Sequence, residues 1–180
     1  MNIIIEQSKT IPVRYQHFNA LTWLIKAAAG DVMRHNISQI IHVNQGICYC
    51  TDGQRLHVYS QDSEELPTND YLQDGNYRIK SATKKLIILE TVDPDEFEYP
   101  AVDRILAYQP KVTKHYRTMA HFTNFVFTIF HDWDTMINID YLRDAFMEED
   151  IKIECTVSKI GPIVFGNEDR LALIMPIIRH

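Results

Sequence analysis

The stretch 38–60, SQIIHVNQGICYCTDGQRLHVYS, decides the fold. Three short runs rich in β-branched and aromatic residues, IIHV, ICYCT and RLHVYS, are separated by Asn44-Gln45-Gly46 and by Asp52-Gly53. Glycine in each connection supplies the backbone freedom that a tight hairpin needs, so residues 38–60 predict a three-stranded antiparallel meander. Within it Cys48 and Cys50 flank Tyr49, which puts both thiols on one side of a strand and the phenol on the other. Two neighbouring thiols on an extended strand are badly placed to bond to each other, so they are expected to be small core residues.

Ahead of the meander, Phe18, Leu21, Leu24, Ile25 and Ala28 recur at three- and four-residue steps and predict an amphipathic helix that Gly30 can end. Beyond it, the polar stretch 60–76 is a surface connection to two more strands, NYRIKSA and KLIILET. Residues 93–119 begin with DPDEFEYPAVDRILAYQP, whose prolines and acids predict an irregular crossing. HFTNFVFTIF, 121–130, is apolar enough for burial and is read as a strand. Ile139, Leu142 and Phe146 share one helical face, with Asn138 or Asp140 as the cap, predicting a helix over about 140–148. Ile151, Ile153, Cys155 and Val157 then alternate with Lys152, Glu154, Thr156 and Ser158 as a half-buried strand, and GPIVF and LALIMPII close the chain as two more. The expected architecture is an α+β fold in one domain, 1–180. Two halves, about 10–92 and 120–180, each consist of a helix plus an antiparallel meander; they are pseudo-symmetric and joined by the crossing 93–119.

The chain of 180 residues is 46% apolar, and 18 Lys and Arg against 24 Asp and Glu leave a net charge of −6. That balance excludes a general nucleic-acid binder working by bulk positive charge. Local basic groups remain: Lys80, Lys84 and Lys85; Lys111, Lys114 and Arg117; and Lys26, Arg34 and Arg143 on or beside the two helices. Three cysteines, an odd number without paired spacing, point to a reducing cytoplasm. The opening MNIIIEQSKT reads as no signal peptide, and no run is long enough to span a bilayer. No nucleophile elbow, phosphate-binding glycine loop or His-Glu-x-x-His occurs, so no catalytic residue and no cofactor is expected. His121, His131, Asp132 and Asp134 have the residue types of a divalent-metal enzyme but not a diagnostic spacing, and the expectation is that no metal binds.

Three segments are more informative: TDGQRL (51–56), YPAVDRIL (99–106) and IMPIIRH (174–180). In this order they resemble the bacterial DNA polymerase III beta subunit, the sliding clamp family, which has a Thr-Asp-Gly-His-Arg-Leu turn, a Phe-Pro-Asp-x-x-Arg-Val-Leu-like crossing and a Met-Pro-Met-Arg-Leu-like end. INIDYLRDAF looks like a strand-to-helix junction of that family, and DVMRHNISQIIHV is similar to the stretch before its turn. The likeness covers much of 20–106 and 137–180.

The resemblance implies a DNA-clamp-like fold and a non-enzymatic processivity factor of DNA replication. It implies a groove for short linear peptides of DNA polymerase and clamp-loader-type proteins, formed here by Thr51, Gly53, Arg55, Leu56, Pro100, Ile105, Ile174, Met175, Pro176 and Ile177. It further implies a homo-oligomer and, if a ring forms, double-stranded DNA facing Lys26, Arg34 and Arg143. The chain departs from the family in length, which suits about one clamp domain where a ring-forming chain has two or three, and in helices that are nearly neutral or acidic. A shortened clamp, as a phage or mobile element would carry, is the first reading. A clamp-like inhibitory or peptide-binding module that does not encircle DNA is the second, and a metal-dependent enzyme the third.

Overall fold

The β-rich runs pair as their hairpin chemistry dictates. The computed structural model describes residues 10–12, 18–28, 39–61, 72–83, 86–95, 97–102, 106, 113–116, 137–145, 153–156, 162–166 and 169–177. The expected strand over 121–130, together with His121, His131, Asp132 and Asp134, lies outside them. In chain order the elements are β1 (Thr10–Pro12), α1 (Phe18–Ile25) running into a 3-10 turn (Lys26–Ala28), β2 (Ile40–Asn44), β3 (Ile47–Thr51), β4 (Arg55–Ser60), β5 (Gly75–Ala82) and β6 (Ile87–Val92). They are followed by β7 (Thr113–Tyr116), α2 (Ile139–Ala145), β8 (Ile153–Thr156), β9 (Ile163–Gly166) and β10 (Arg170–Ile174).

The ten strands form one sheet in the order β1-β6-β5-β2-β3-β4-β10-β9-β8-β7. Every pairing is antiparallel. The first meander, β2-β3-β4, turns at Gln45-Gly46, where both residues hold positive φ (50° and 76°) as a two-residue hairpin requires. The last meander, β8-β9-β10, meets it where β10 pairs with β4, from Arg170 opposite Tyr59 to Ile174 opposite Arg55. The stretch expected to be an irregular crossing therefore holds an edge strand, β7, paired only with β8 among the described residues. Its sequence, TKHY, is too short and too polar to show a periodicity.

Both helices lie on the same face of the sheet. Leu21 and Leu24 of α1 and Leu142 and Ala145 of α2 join one core with Ile41, Val43, Cys48, Cys50, Ile87, Leu89, Ile163, Ala172 and Ile174. The cysteines are thus core residues, and burial pushes both thiols up to about 12. Asn138 caps α2 by accepting from the Asp140 amide at 2.9 Å. Ile139, expected on the buried face of that helix, is half exposed at 51%. As the first residue of α2 it stands beside the cap, and Leu142 and Ala145 supply the buried contact instead. Among the described residues no helix is long and apolar enough to cross a membrane.

The two helices are tied together through β4. Trp23 Nε1 donates to the carbonyl of Ala145 at 3.2 Å. The Trp23 ring stacks on His57, with centroids 4.4 Å apart and planes at 13°. His57 Nδ1 donates to the Trp23 carbonyl at 2.9 Å, while Nε2 has no hydrogen-bond partner among the described residues. Burial lowers the ring from its ordinary 6.5 to about 4, so it is neutral in the folded protein. Between those two values the unfolded chain takes up a proton that the folded one refuses. Stability is therefore full above pH 6.5 and falls as pH drops towards 4, by roughly 3 kcal/mol from this group. Urea denaturation at pH 7 and at pH 4.5 checks this: the loss on acidification is expected to be smaller in His57→Phe than in the unaltered protein, and equal losses would contradict it.

Candidate functional site

The period-two alternation of the central strands gives the sheet a second apolar face, opposite the helices. Tyr49, Leu56, Val58 and Leu173 are buried there together with Val102. Ile47, Tyr99, Leu106, Val164 and Leu171 pack against them. Leu56 and Leu173 are cross-strand partners in the β4–β10 register, so the end of the first meander and the end of the chain share one apolar seam.

A proline-bearing strap, 97–102, covers part of this seam. Asn76 on β5 donates through Nδ2 to the Phe97 carbonyl at 3.3 Å, and its Oδ1 is 2.8 Å from His42 Nδ1 on β2. The His42 ring stacks on Tyr99 with centroids 4.7 Å apart and planes at 11°. Burial pushes the Tyr99 phenol up, and its hydroxyl has no hydrogen-bond partner among the described residues. The Leu106 amide donates to the Val102 carbonyl at 2.9 Å. Val102 belongs to the same buried cluster as Leu56 and Leu173.

The turn between β3 and β4 is built by side chains. Asp52 Oδ1 accepts from the amides of Gln54 and Arg55, both at 2.9 Å. Its Oδ2 accepts from Arg55 Nε at 3.0 Å. The Gly53 amide donates to Thr51 Oγ1 at 3.0 Å, and the Thr51 hydroxyl donates to the Arg55 carbonyl. Gly53 holds φ +87°, a conformation that a residue with Cβ adopts only under strain. The turn then reaches the far end of the chain: the Met175 amide donates to the Gln54 carbonyl at 2.8 Å, one step beyond β10.

Of the residues expected in the groove, Leu56 lies opposite Leu173, and Thr51 and Gly53 belong to the turn whose Gln54 carbonyl bonds the Met175 amide. Met175 and Ile177 are exposed at 45% and 49%, with half-buried Pro176 between them. Pro100 is exposed on the strap. Two residues point the other way. Ile174 is fully buried in the helix-side core. Arg55, its cross-strand partner, sends its guanidinium towards α2, 2.8 Å from Asp144 Oδ2. A strand offers the seam every second residue, so Leu171 and Leu173 face it while Ala172 and Ile174 do not. The run LALI is apolar throughout, so nothing in the sequence separates the two faces. Asp52 and Val102, also beyond the sequence reading, complete the arrangement. Ile105 and Arg34 lie outside the described residues.

Of the other basic candidates, Lys26 is half-buried in the 3-10 turn, and exposed Arg143 on α2 pairs with Asp140 at 3.1 Å. Lys80 pairs with Glu90 at 3.0 Å. Exposed pairs of this kind contribute little to stability.

The sheet order, the two helices on one face and the strapped seam on the other define a fold shared with DNA polymerase sliding clamps, as the motif resemblance implies. The DNA polymerase III beta chain of Streptococcus pneumoniae is similar with a TM-score of 0.62 at 12% identity, over 99% of this chain and 67% of that one. The clamp of Bacillus subtilis gives 0.59 at 13% identity, over 100% and 67%. The Pseudomonas aeruginosa clamp bound to griselimycin gives 0.58 at 14% identity, over 99% and 68%. No family model and no curated protein matches the sequence.

Asp52 and Arg55 side chains are 5% and 2% exposed. Asp52→Ala is therefore expected to destabilise by about 3 kcal/mol, since it strips two amides and a buried guanidinium of their acceptor. Gly53→Ala is expected to destabilise by only about 1 kcal/mol, from backbone strain alone. Chemical denaturation of the two variants checks the order, and a larger loss for Gly53→Ala would contradict it.

Proposed function

We propose that this protein is a sliding-clamp-like, non-enzymatic accessory of DNA replication. It docks DNA polymerase and clamp-loader-type proteins by holding their short linear peptides over the seam formed by Leu56, Leu173 and Val102. The observation that carries this reading is that Leu56 after the turn, Val102 of the strap and Leu173 of β10 share one apolar cluster in a clamp-type fold. Leucine, methionine or phenylalanine side chains of a peptide would anchor against that floor beside Met175, Pro176 and Ile177, with Thr51, Gly53 and Pro100 at the rim. On this reading the two helix-plus-meander units are pseudo-symmetric halves of one clamp-like domain, and copies of the chain associate to surround double-stranded DNA.

A second reading keeps the docking surface and drops the DNA. The net charge of −6 favours it, as does the pairing of Arg143 with Asp140, because sliding along phosphates needs unpaired cations facing the duplex. Solution mass, with retention on circular but not linear DNA, separates the two. A multi-subunit species retained only on circles supports encirclement, and a monomer with no retention supports the second reading.

The docking surface itself is tested by Met175→Ala combined with Leu56→Ala. Removing the exposed Met175 side chain and the buried Leu56 that supports the surface is expected to weaken binding of a short peptide carrying Leu and Phe by about tenfold. Titration calorimetry reads the affinity and circular dichroism controls for folding. Unchanged affinity in the folded double variant would refute the proposed surface.

A further inference from the structure

Arg55 lies within the motif that resembles a clamp groove, yet it does not reach the seam. It is 4% exposed, and its side chain is on the helix side of the sheet. Its guanidinium is held from three directions: Asp52 Oδ2 at 3.0 Å, Asp144 Oδ2 at 2.8 Å, and the Tyr141 ring with its centroid 4.2 Å from Cζ. The first partner belongs to the turn and the other two belong to α2. A planar guanidinium between two carboxylates and an aromatic face is a directional fixture, which a lysine ammonium does not reproduce.

The contacts continue from that fixture to the opposite face without a gap. Asp52, which receives Arg55 Nε, also receives the amides of Gln54 and Arg55. The Gln54 carbonyl in turn receives the amide of Met175. Met175 is the first exposed apolar residue beyond β10. Leu56, next after Arg55, belongs to the seam. A shift of Arg55 therefore moves the turn, the Gln54–Met175 joint and Leu56 together.

We propose that Arg55 and Asp144 are positioning residues for the docking surface: the Asp52–Arg55–Asp144 clasp transmits the seat of α2 through the sheet to the Gln54–Met175 joint. This inference rests on the docking function proposed above. It makes α2 a control point for that function, because anything that pulls Asp144 from Arg55 loosens the rim on the other side of the molecule.

The test is Asp144→Asn, which keeps the shape of the side chain and removes its charge, with Asp140→Asn as the control from the exposed pair on the same helix. Native-state amide hydrogen exchange is followed by NMR. Exchange at the Met175 amide is expected to quicken about tenfold in Asp144→Asn while the β2 amides keep their rates, and Asp140→Asn is expected to change neither. A merely structural loss would speed Met175 and β2 together, which overturns the proposal, as does an unchanged Met175 rate. The same variants are titrated with the Leu- and Phe-bearing peptide, for which Asp144→Asn is expected to bind about fivefold more weakly. If the unaltered protein binds and Asp144→Asn binds equally well, the positioning role fails while the docking surface stands. If the unaltered protein does not bind, the docking function fails, and the positioning role for that function falls with it.

Discussion

The pairing of β4 with β10 is the constraint on which the rest depends. It joins the first meander to the last across a register of five residue pairs, from Tyr59 and Arg170 to Arg55 and Ile174. Because side chains alternate, this one seam serves two interiors at once. Arg55, His57 and Tyr59 point to the helices, whereas Leu56 and Val58 point to the strap. A slip of one residue would exchange the two sets, burying a guanidinium among leucines and placing a leucine beside Asp144. That penalty makes the register specific.

Each face supplies its own lock. On the helix side, Trp23 links α1 to the end of α2 and stacks on His57, and Arg55 meets Asp144. On the other side, His42 and Asn76 hold the strap, and Val102 shares a buried cluster with Leu56 and Leu173. The polar groups in both locks are mostly satisfied by partners far away in sequence, so these contacts report tertiary assembly rather than local preference. Two of the four exposed large apolar side chains among the described residues, Met175 and Ile177, follow directly after the seam. Exposed apolar groups beside a preformed apolar floor are what a docking surface requires.

Much of this was legible in the sequence because the local signals agreed with one another. Alternation and turn glycines located the β2-β3-β4 meander, and helical spacing located α1 and α2; the grouping of three short segments came from their resemblance to sliding clamps and not from a local signal. What was not legible is parity and partnership. Whether Leu173 or Ile174 faces the seam is fixed by the pairing of β10 with β4, and neither residue differs from the other in hydrophobicity enough to tell. Arg55 reads as part of a surface motif, and only the distant Asp144 and Tyr141 turn it inward. Ile139 has the right spacing for a buried face, yet its place beside the Asn138 cap leaves it half exposed. The strand β7 lies in a proline-rich stretch whose four paired residues carry no pattern of their own.

Convergence of the turn, the strap and the last strand on one apolar seam is most directly tested by methyl-to-methyl nuclear Overhauser effects in a protein labelled at leucine and valine. The account predicts cross-peaks linking Leu56 to Leu173 and Leu56 to Val102. A spectrum in which the Leu56 methyls contact neither residue would contradict it.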